Sequence, residues 1–107
     1  MFNRVALALV ASLAVTAAAH AGAEPAETVH IGNFMFDKMT LTVRPGTTVT
    51  WVNDDDIPHT VVAKDLSFRS KALDTGDSYS FTAGKAGDYP YFCGLHPHMQ
   101  GTIKVTP

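Results

Sequence analysis

Hydrophobic and polar residues alternate with a period of two in a series of short runs that begins near residue 28. Successive side chains of a strand point to opposite faces of a sheet, so this alternation is typical of strands with one buried face. The apolar pairs that set the period are Val29 and Ile31, Leu41 and Val43, Val49 and Trp51, Tyr79 and Phe81, Tyr89 and Tyr91, and Ile103 and Val105. Each pair predicts a half-buried β-strand.

Turn-forming residues separate these runs at 44–46, 53–56, 74–77 and 83–87. Glycine, proline, asparagine and aspartate favour turns for known conformational reasons. Many short strands with closely spaced turns predict an all-β fold, a Greek-key β-sandwich built as a single domain. For residues 63–77 the pattern does not decide between a loop and an irregular strand. We expect Phe68 and Leu73 to anchor this segment in the core.

The first 23 residues have the pattern of a secretory signal peptide. An apolar run follows Arg4, and small residues in A-x-A patterns end at Ala21 and Ala23. The run is too short for a membrane-spanning helix, which needs about 20 apolar residues. We therefore expect cleavage after Ala21 or Ala23, no membrane insertion, and a soluble domain of residues 24–107 exported to the periplasm.

Charge and cysteine content narrow the class of partner and cofactor. The 107 residues include 8 Lys and Arg against 10 Asp and Glu, a formal net charge of −2 at pH 7. A mildly acidic surface argues against nucleic acid and against an anionic membrane as partner. Cys93 is the only cysteine, so it forms no internal disulfide, and in an oxidising compartment a metal ligand is more sensible than a free thiol.

A short segment near the C-terminus combines three soft or borderline donors. Cys93, His96 and Met99 follow one another at intervals of three residues. Two histidines and a cysteine with a weak axial methionine form the blue-copper electron-transfer site, so we expect one copper ion per chain. Cys93 shares the strand parity of Tyr89 and Tyr91, which predicts a side chain that points inward. The alternatives are an inert buried cysteine and a methionine that simply packs in the core.

The second histidine must come from another part of the chain, and His59 is favoured because the other histidines fit less well. The alternative is that His59 is an ordinary surface residue. His20 leaves with the signal peptide, and His30 lies in the middle of a predicted strand. His98 is too close to His96 for both to bind one ion easily, so we expect it to be exposed and uncommitted.

Other metal chemistries fit this chain less well. Structural zinc prefers four Cys or His ligands, and catalytic zinc takes three ligands and a water. One cysteine, two histidines and a methionine match neither arrangement. The consecutive carboxylates at 54–56 suggest a site for a hard cation, but we expect them to be solvated turn residues.

These motifs make the chain resemble the cupredoxins, and most of all the amicyanin branch, over nearly the whole domain. The matching stretches are Pro45 to Asn53, Pro58-His59, Gly87-Asp88-Tyr89, Cys93, His96-Pro97, Met99 and Gly101. By this resemblance the ligands of one type 1 copper ion are His59, Cys93, His96 and Met99. The resemblance also implies a cupredoxin-like fold in which Asn53 braces the segment of Cys93.

The chain departs from the family pattern at two positions beside the ligands. Thr60 stands where the family usually has Asn, so we expect one side-chain tie across the site to be lost, although the Thr60 N–H can still donate to the Cys93 sulfur. Gly94 replaces the usual Thr or Ser, which leaves Asn53 only backbone to hold. Contacts behind the ligands tune a metal centre, so these changes should affect the reduction potential rather than the choice of metal.

Together these observations predict a periplasmic electron carrier that moves single electrons between redox proteins and is not an enzyme. We expect a monomer that meets its partners transiently, and the resemblance suggests a c-type cytochrome or a dehydrogenase. The face expected to exchange electrons comprises Met35, Leu95, His96 and Pro97. The alternative function is copper trafficking or buffering with the same ligands.

Overall fold

A computed structural model describes residues 25–107 of the chain, and the predicted signal peptide lies outside this range. The described residues form eight strands and contain no helix. Their bounds are β1 (Ala26–Gly32), β2 (Met35–Phe36), β3 (Thr40–Val43), β4 (Thr48–Asn53), β5 (Val62–Ala63), β6 (Ser78–Thr82), β7 (Gly87–Cys93) and β8 (His96–Val105). The predicted all-β fold is confirmed.

The strands form two four-stranded sheets. One has the order β2-β1-β4-β6, and the other has the order β3-β8-β7-β5. The pairs β1–β4 and β3–β8 are parallel, and the remaining neighbours are antiparallel. Parallel neighbours require connections that cross to the other sheet and back, so the two sheets are joined repeatedly and form a single sandwich.

The core lies between the sheets, where the apolar residues of the alternating pattern meet. Trp51 of β4 packs edge-on against Tyr91 of β7, with ring centroids 5.2 Å apart. Phe36 approaches the same tyrosine at 4.8 Å. Such edge-to-face contacts suit the charge distribution of aromatic rings. Because these two contacts join one sheet to the other, the aromatic side chains fix how the layers stack.

The sequence did not decide between a loop and an irregular strand for the segment at 63–77. In the structure the segment is irregular except for Ala63, which ends β5. Isolated bridges pair Val62 with Arg69 and His59 with Leu73. Phe68 is 5% exposed and Leu73 only 1%, which confirms both as core anchors. Since the Leu73 bridge holds His59, this irregular segment positions a candidate ligand. Among the described residues, no helix is long and apolar enough to cross a bilayer.

Candidate metal centre

Three candidate ligands converge at one end of the sandwich. Cys93 ends β7 and His96 begins β8, while His59 lies in the connection between β4 and β5. The Cys93 sulfur is 3.7 Å from Nδ1 of His59 and 3.7 Å from Nδ1 of His96. All three donor atoms lie within 4.8 Å of one another, so residues separated by more than 30 positions meet in one cluster.

The hairpin between β7 and β8 sets two of these ligands. At the end of the hairpin Cys93 lies opposite His96. Only Gly94 and Leu95 remain as the turn, and two-residue turns are common in hairpins and often contain glycine. The register shifts between Phe92 and Cys93, and such irregularities re-aim side chains near functional sites.

The spacing of the donors fits a single metal ion. Bonds of about 2.3 Å to sulfur and about 2.0 Å to imidazole nitrogen, the lengths typical of zinc, place the two donors about 3.7 Å apart at a trigonal angle. The structure shows this separation for both histidines. Cys93 and His59 are fully buried, and Met99, three residues beyond His96, is 5% exposed. One thiolate, two imidazoles and a buried thioether are the donor set that copper favours.

Backbone and side-chain contacts orient His59. Its N–H donates to the Leu73 carbonyl at 3.1 Å, and its own carbonyl accepts from the Leu73 N–H at 2.7 Å. Nε2 of the ring lies 2.9 Å from a carboxylate oxygen of Asp55. A carboxylate accepts and does not donate when ionised, so the proton resides on Nε2 and the lone pair of Nδ1 faces the cysteine.

Asp55 is the functional residue that the sequence missed. It was expected to be solvated with Asp54 and Asp56, but its side chain is only 12% exposed. Its hydrogen bond with His59, followed by a bond from the Phe34 N–H, lowers its pKa to about 2. Three adjacent aspartates look alike in the sequence, and the position of Asp55 four residues before His59 was the only available signal.

Thr60 and Gly94 form a tie that sequence reasoning had expected to be lost. The Thr60 N–H donates to the Cys93 sulfur at 3.3 Å, as predicted. In addition, the Thr60 hydroxyl accepts from the Gly94 N–H at 2.7 Å. A Cβ on Gly94 would lie 3.1 Å from that hydroxyl oxygen. The glycine therefore leaves room for the threonine, and the two departures from the family pattern compensate each other.

The hydrogen bonds of Asn53 differ from the expectation. Its amide nitrogen donates to the carbonyls of Ile57 and Leu73 at 2.9 and 2.8 Å, and its oxygen accepts from the Asp55 N–H at 2.9 Å. All three partners belong to the His59 side of the site, so the idea that Asn53 braces the Cys93 segment is corrected. The reason is geometric, because β4 ends at Asn53 and the chain turns there towards His59.

Residues next to His96 and Phe34 in the chain expose apolar side chains. Met35 is 55% exposed and Leu95 is 52% exposed, while Pro97 is exposed and His96 half-buried. Phe34, which the sequence did not single out, places its ring edge-on against His96 with centroids 5.0 Å apart. His98 is exposed and lies outside the cluster of donors found among the described residues.

Comparison with known proteins identifies the class of this fold and site. The family model of the cupredoxin-like domain matches residues 5–105. The chain belongs to the cupredoxin-like family.

Its curated relatives include amicyanins and plastocyanins. The chain is 35% identical over 88 residues to the amicyanin of Paracoccus versutus, which covers 76% of this chain and 67% of that protein. It is 37% identical over 87 residues to the plastocyanin of Scenedesmus fuscus, which covers 69% of this chain and 89% of that protein.

Solved structures agree with the curated relatives. A purple cupredoxin from Nitrosopumilus maritimus superposes with a TM-score of 0.71 at 31% identity, covering 75% of this chain and 99% of that one. A reduced Cu(I) form of an amicyanin variant at pH 4 gives a TM-score of 0.71 at 34% identity, covering 76% and 82%. Copper is the cofactor of this centre, as its donor chemistry and its relatives agree.

Proposed function

We propose that this protein is a periplasmic one-electron carrier whose type 1 copper is held by His59, Cys93 and His96, with Met99 as a weak axial ligand. The observation that carries the proposal is the buried Cys93 sulfur placed at equal distance, 3.7 Å, from Nδ1 of both histidines. Copper held by these residues would supply the redox change, between Cu(II) and Cu(I). The chain converts no substrate and is not an enzyme.

The surroundings of the ligands support electron transfer rather than copper exchange. The Thr60 N–H points at the Cys93 sulfur, and the Leu73 bridge fixes the backbone on both sides of His59. A centre whose ligands are held in place by packing and by outer hydrogen bonds changes little when its charge changes. Copper trafficking or buffering would instead need ligands that release the ion readily.

The partner surface is proposed around the edge of His96. Leu95 and Pro97 flank this half-buried imidazole along the chain, and Met35 follows Phe34, whose ring contacts His96; all three apolar side chains are exposed. Small apolar contacts suit transient encounters between redox proteins, which bury little surface. We propose a monomer that meets a c-type cytochrome or a dehydrogenase here, after export and cleavage of the signal peptide after Ala21 or Ala23.

The test is to load the purified protein with one equivalent of Cu(II) and to record its absorption and EPR spectra. We expect an intense blue colour from charge transfer between the Cys93 thiolate and Cu(II), together with the EPR spectrum of type 1 copper. Cys93→Ser is the matched control and should lose the colour. A colourless complex with an ordinary tetragonal spectrum would overturn the type 1 assignment. Rapid transfer of the copper to a chelator would favour trafficking.

A further inference from the structure

The three consecutive aspartates after β4 have different environments. Asp54 pairs with the Nδ1 of His30 at 2.6 Å, on the exposed surface. Asp55 turns inward to the Nε2 of His59 at 2.9 Å. Asp56 is exposed. The chain therefore offers three carboxylates of equal charge within three positions, and only one of them contacts a candidate ligand.

Asp55 makes two contacts through a single carboxylate oxygen. The oxygen that accepts from His59 also accepts from the Phe34 N–H at 3.2 Å. The backbone of Asp55 is itself held, because its N–H donates to the Asn53 side chain and its carbonyl accepts from the Thr75 hydroxyl at 2.6 Å. The carboxylate thus joins His59 to the β1–β2 turn from a fixed position.

The turn that Asp55 holds has an unusual residue in it. Asn33 and Phe34 connect β1 to β2 with φ angles of 53° and 60°. A two-residue turn with both φ angles positive is the arrangement in which Asn-Gly is preferred. An aromatic residue in this left-handed region is strained, and such strain persists where the surroundings over-determine it and often marks a functional site.

The strained turn places the Phe34 ring over the metal centre. Its centroid lies 5.0 Å from that of His96 and 5.8 Å from that of His59, edge-on in both cases. Phe34 as a residue is nevertheless 51% exposed. A glycine would relieve the strain but would leave both imidazoles uncovered on this side.

We propose that Asp55 is a positioning residue of the copper centre, which fixes His59 through Nε2 and holds the Phe34 ring over both imidazoles. An anionic partner on the outer nitrogen makes an imidazole a stronger donor and fixes its orientation, and removing such partners typically weakens metal binding about 10- to 100-fold. The stronger donor stabilises Cu(II) more than Cu(I). This inference rests on the proposed ligand set.

The first experiment compares Asp55→Asn with Asp56→Asn in the copper-loaded protein. Both variants remove one negative charge, at adjacent positions in the chain. Only Asp55→Asn removes the carboxylate that contacts His59. We expect Asp55→Asn to bind Cu(II) about 10- to 100-fold more weakly in competition with a chelator and to have the higher reduction potential. A Cu(II) affinity within about threefold of that of Asp56→Asn, or an equal potential, would overturn the proposal.

Two further measurements keep the proposal testable if Asp55→Asn folds poorly. In the copper-free wild type, where no metal fixes the tautomer, a long-range ¹H–¹⁵N spectrum should show the His59 proton on Nε2, next to Asp55, and a proton on Nδ1 would overturn the proposal. Phe34→Gly should preserve or raise stability, because glycine suits the turn, while copper passes to a chelator faster. An unchanged rate would remove Phe34 from the proposal. If wild type binds no stoichiometric copper, the proposed function fails, which is a different result.

Discussion

At the scale of single residues, the contacts around Cys93 show how two substitutions can replace one interaction. Thr60 receives a bond from Gly94 through its hydroxyl and donates to the cysteine sulfur through its N–H. The side chain at position 60 is short, and the absence of a side chain at position 94 lets the two segments approach. A single residue thus links the histidine segment to the cysteine segment at two atoms.

Replacing Thr60 with valine should lower the free energy of unfolding by about 1 kcal/mol, the usual net value of one hydrogen bond. Valine has nearly the same shape but leaves the Gly94 N–H without its acceptor, while the backbone bond to Cys93 stays. Urea denaturation of the copper-loaded protein measures this change. Thr60→Ser keeps the hydroxyl and is the control, so equal losses in both variants would show that the hydroxyl is not the cause.

At the scale of elements, the β7–β8 hairpin carries two of the three clustered ligands and packs against its own backbone. Tyr91 of β7 lies opposite Gly101 of β8 in the sheet register. The Tyr91 ring covers Gly101 so closely that a Cβ at that position would collide with the phenol. The phenol can bend over β8 only because Gly101 has no side chain, and this contact lies in the strand pair that ends in Cys93 and His96.

Gly101→Ala should destabilise the protein by roughly 2 kcal/mol, within the range found for overpacked cores. The added methyl meets the Tyr91 ring, which is itself fully buried and has no free direction to move. Guanidinium denaturation of the copper-loaded protein tests this. The control is Gly84→Ala, where a Cβ would have nothing within 4 Å. Similar stabilities for the two variants would contradict the proposed contact.

At the scale of the whole molecule, an aromatic cluster packs between the two sheets. Trp51, Tyr91 and Phe68 contact one another across the two layers. The Trp51 indole N–H and the Tyr91 hydroxyl are buried and have no hydrogen-bond partner among the described residues. Buried polar atoms without partners cost stability. The packing of the aromatic rings must therefore offset the two missing hydrogen bonds.

Burial of Tyr91 predicts a loss of stability in alkali. Burial raises the pKa of Tyr91 from 10.0 to about 12, because the phenolate would lose its contact with water. Between these values the unfolded chain releases the proton and the folded chain keeps it, so the free energy of unfolding falls as the pH rises. The full effect is roughly 3 kcal/mol, at 1.36 kcal/mol for each pH unit.

Denaturation of copper-loaded protein at several values between pH 10 and pH 12 measures this slope. Tyr91→Phe cannot release a proton there, so its stability should fall less steeply than that of wild type. Parallel slopes for wild type and Tyr91→Phe would rule out Tyr91 as the source of the alkaline effect.

The sequence by itself determined the features that depend on near neighbours along the chain. The period of two predicted the strands and the inward side of Cys93, because alternate side chains of a strand must point to opposite faces. The spacing of three residues was enough to predict that Cys93 and His96 lie together, because a short turn leaves few other arrangements. Elimination then favoured His59, which the structure places in the same cluster.

Only the tertiary structure decided which distant residues support the ligands. Asp54, Asp55 and Asp56 have the same chemistry in the sequence, and the path of the backbone between Asn53 and His59 turns one of them inward. Phe34 is 21 positions from Asp55 along the chain and reaches it because β1 runs parallel to β4, with Ile31 paired to Asn53. Contacts of this kind depend on strand register and on the paths of two loops, which no local pattern of residues records.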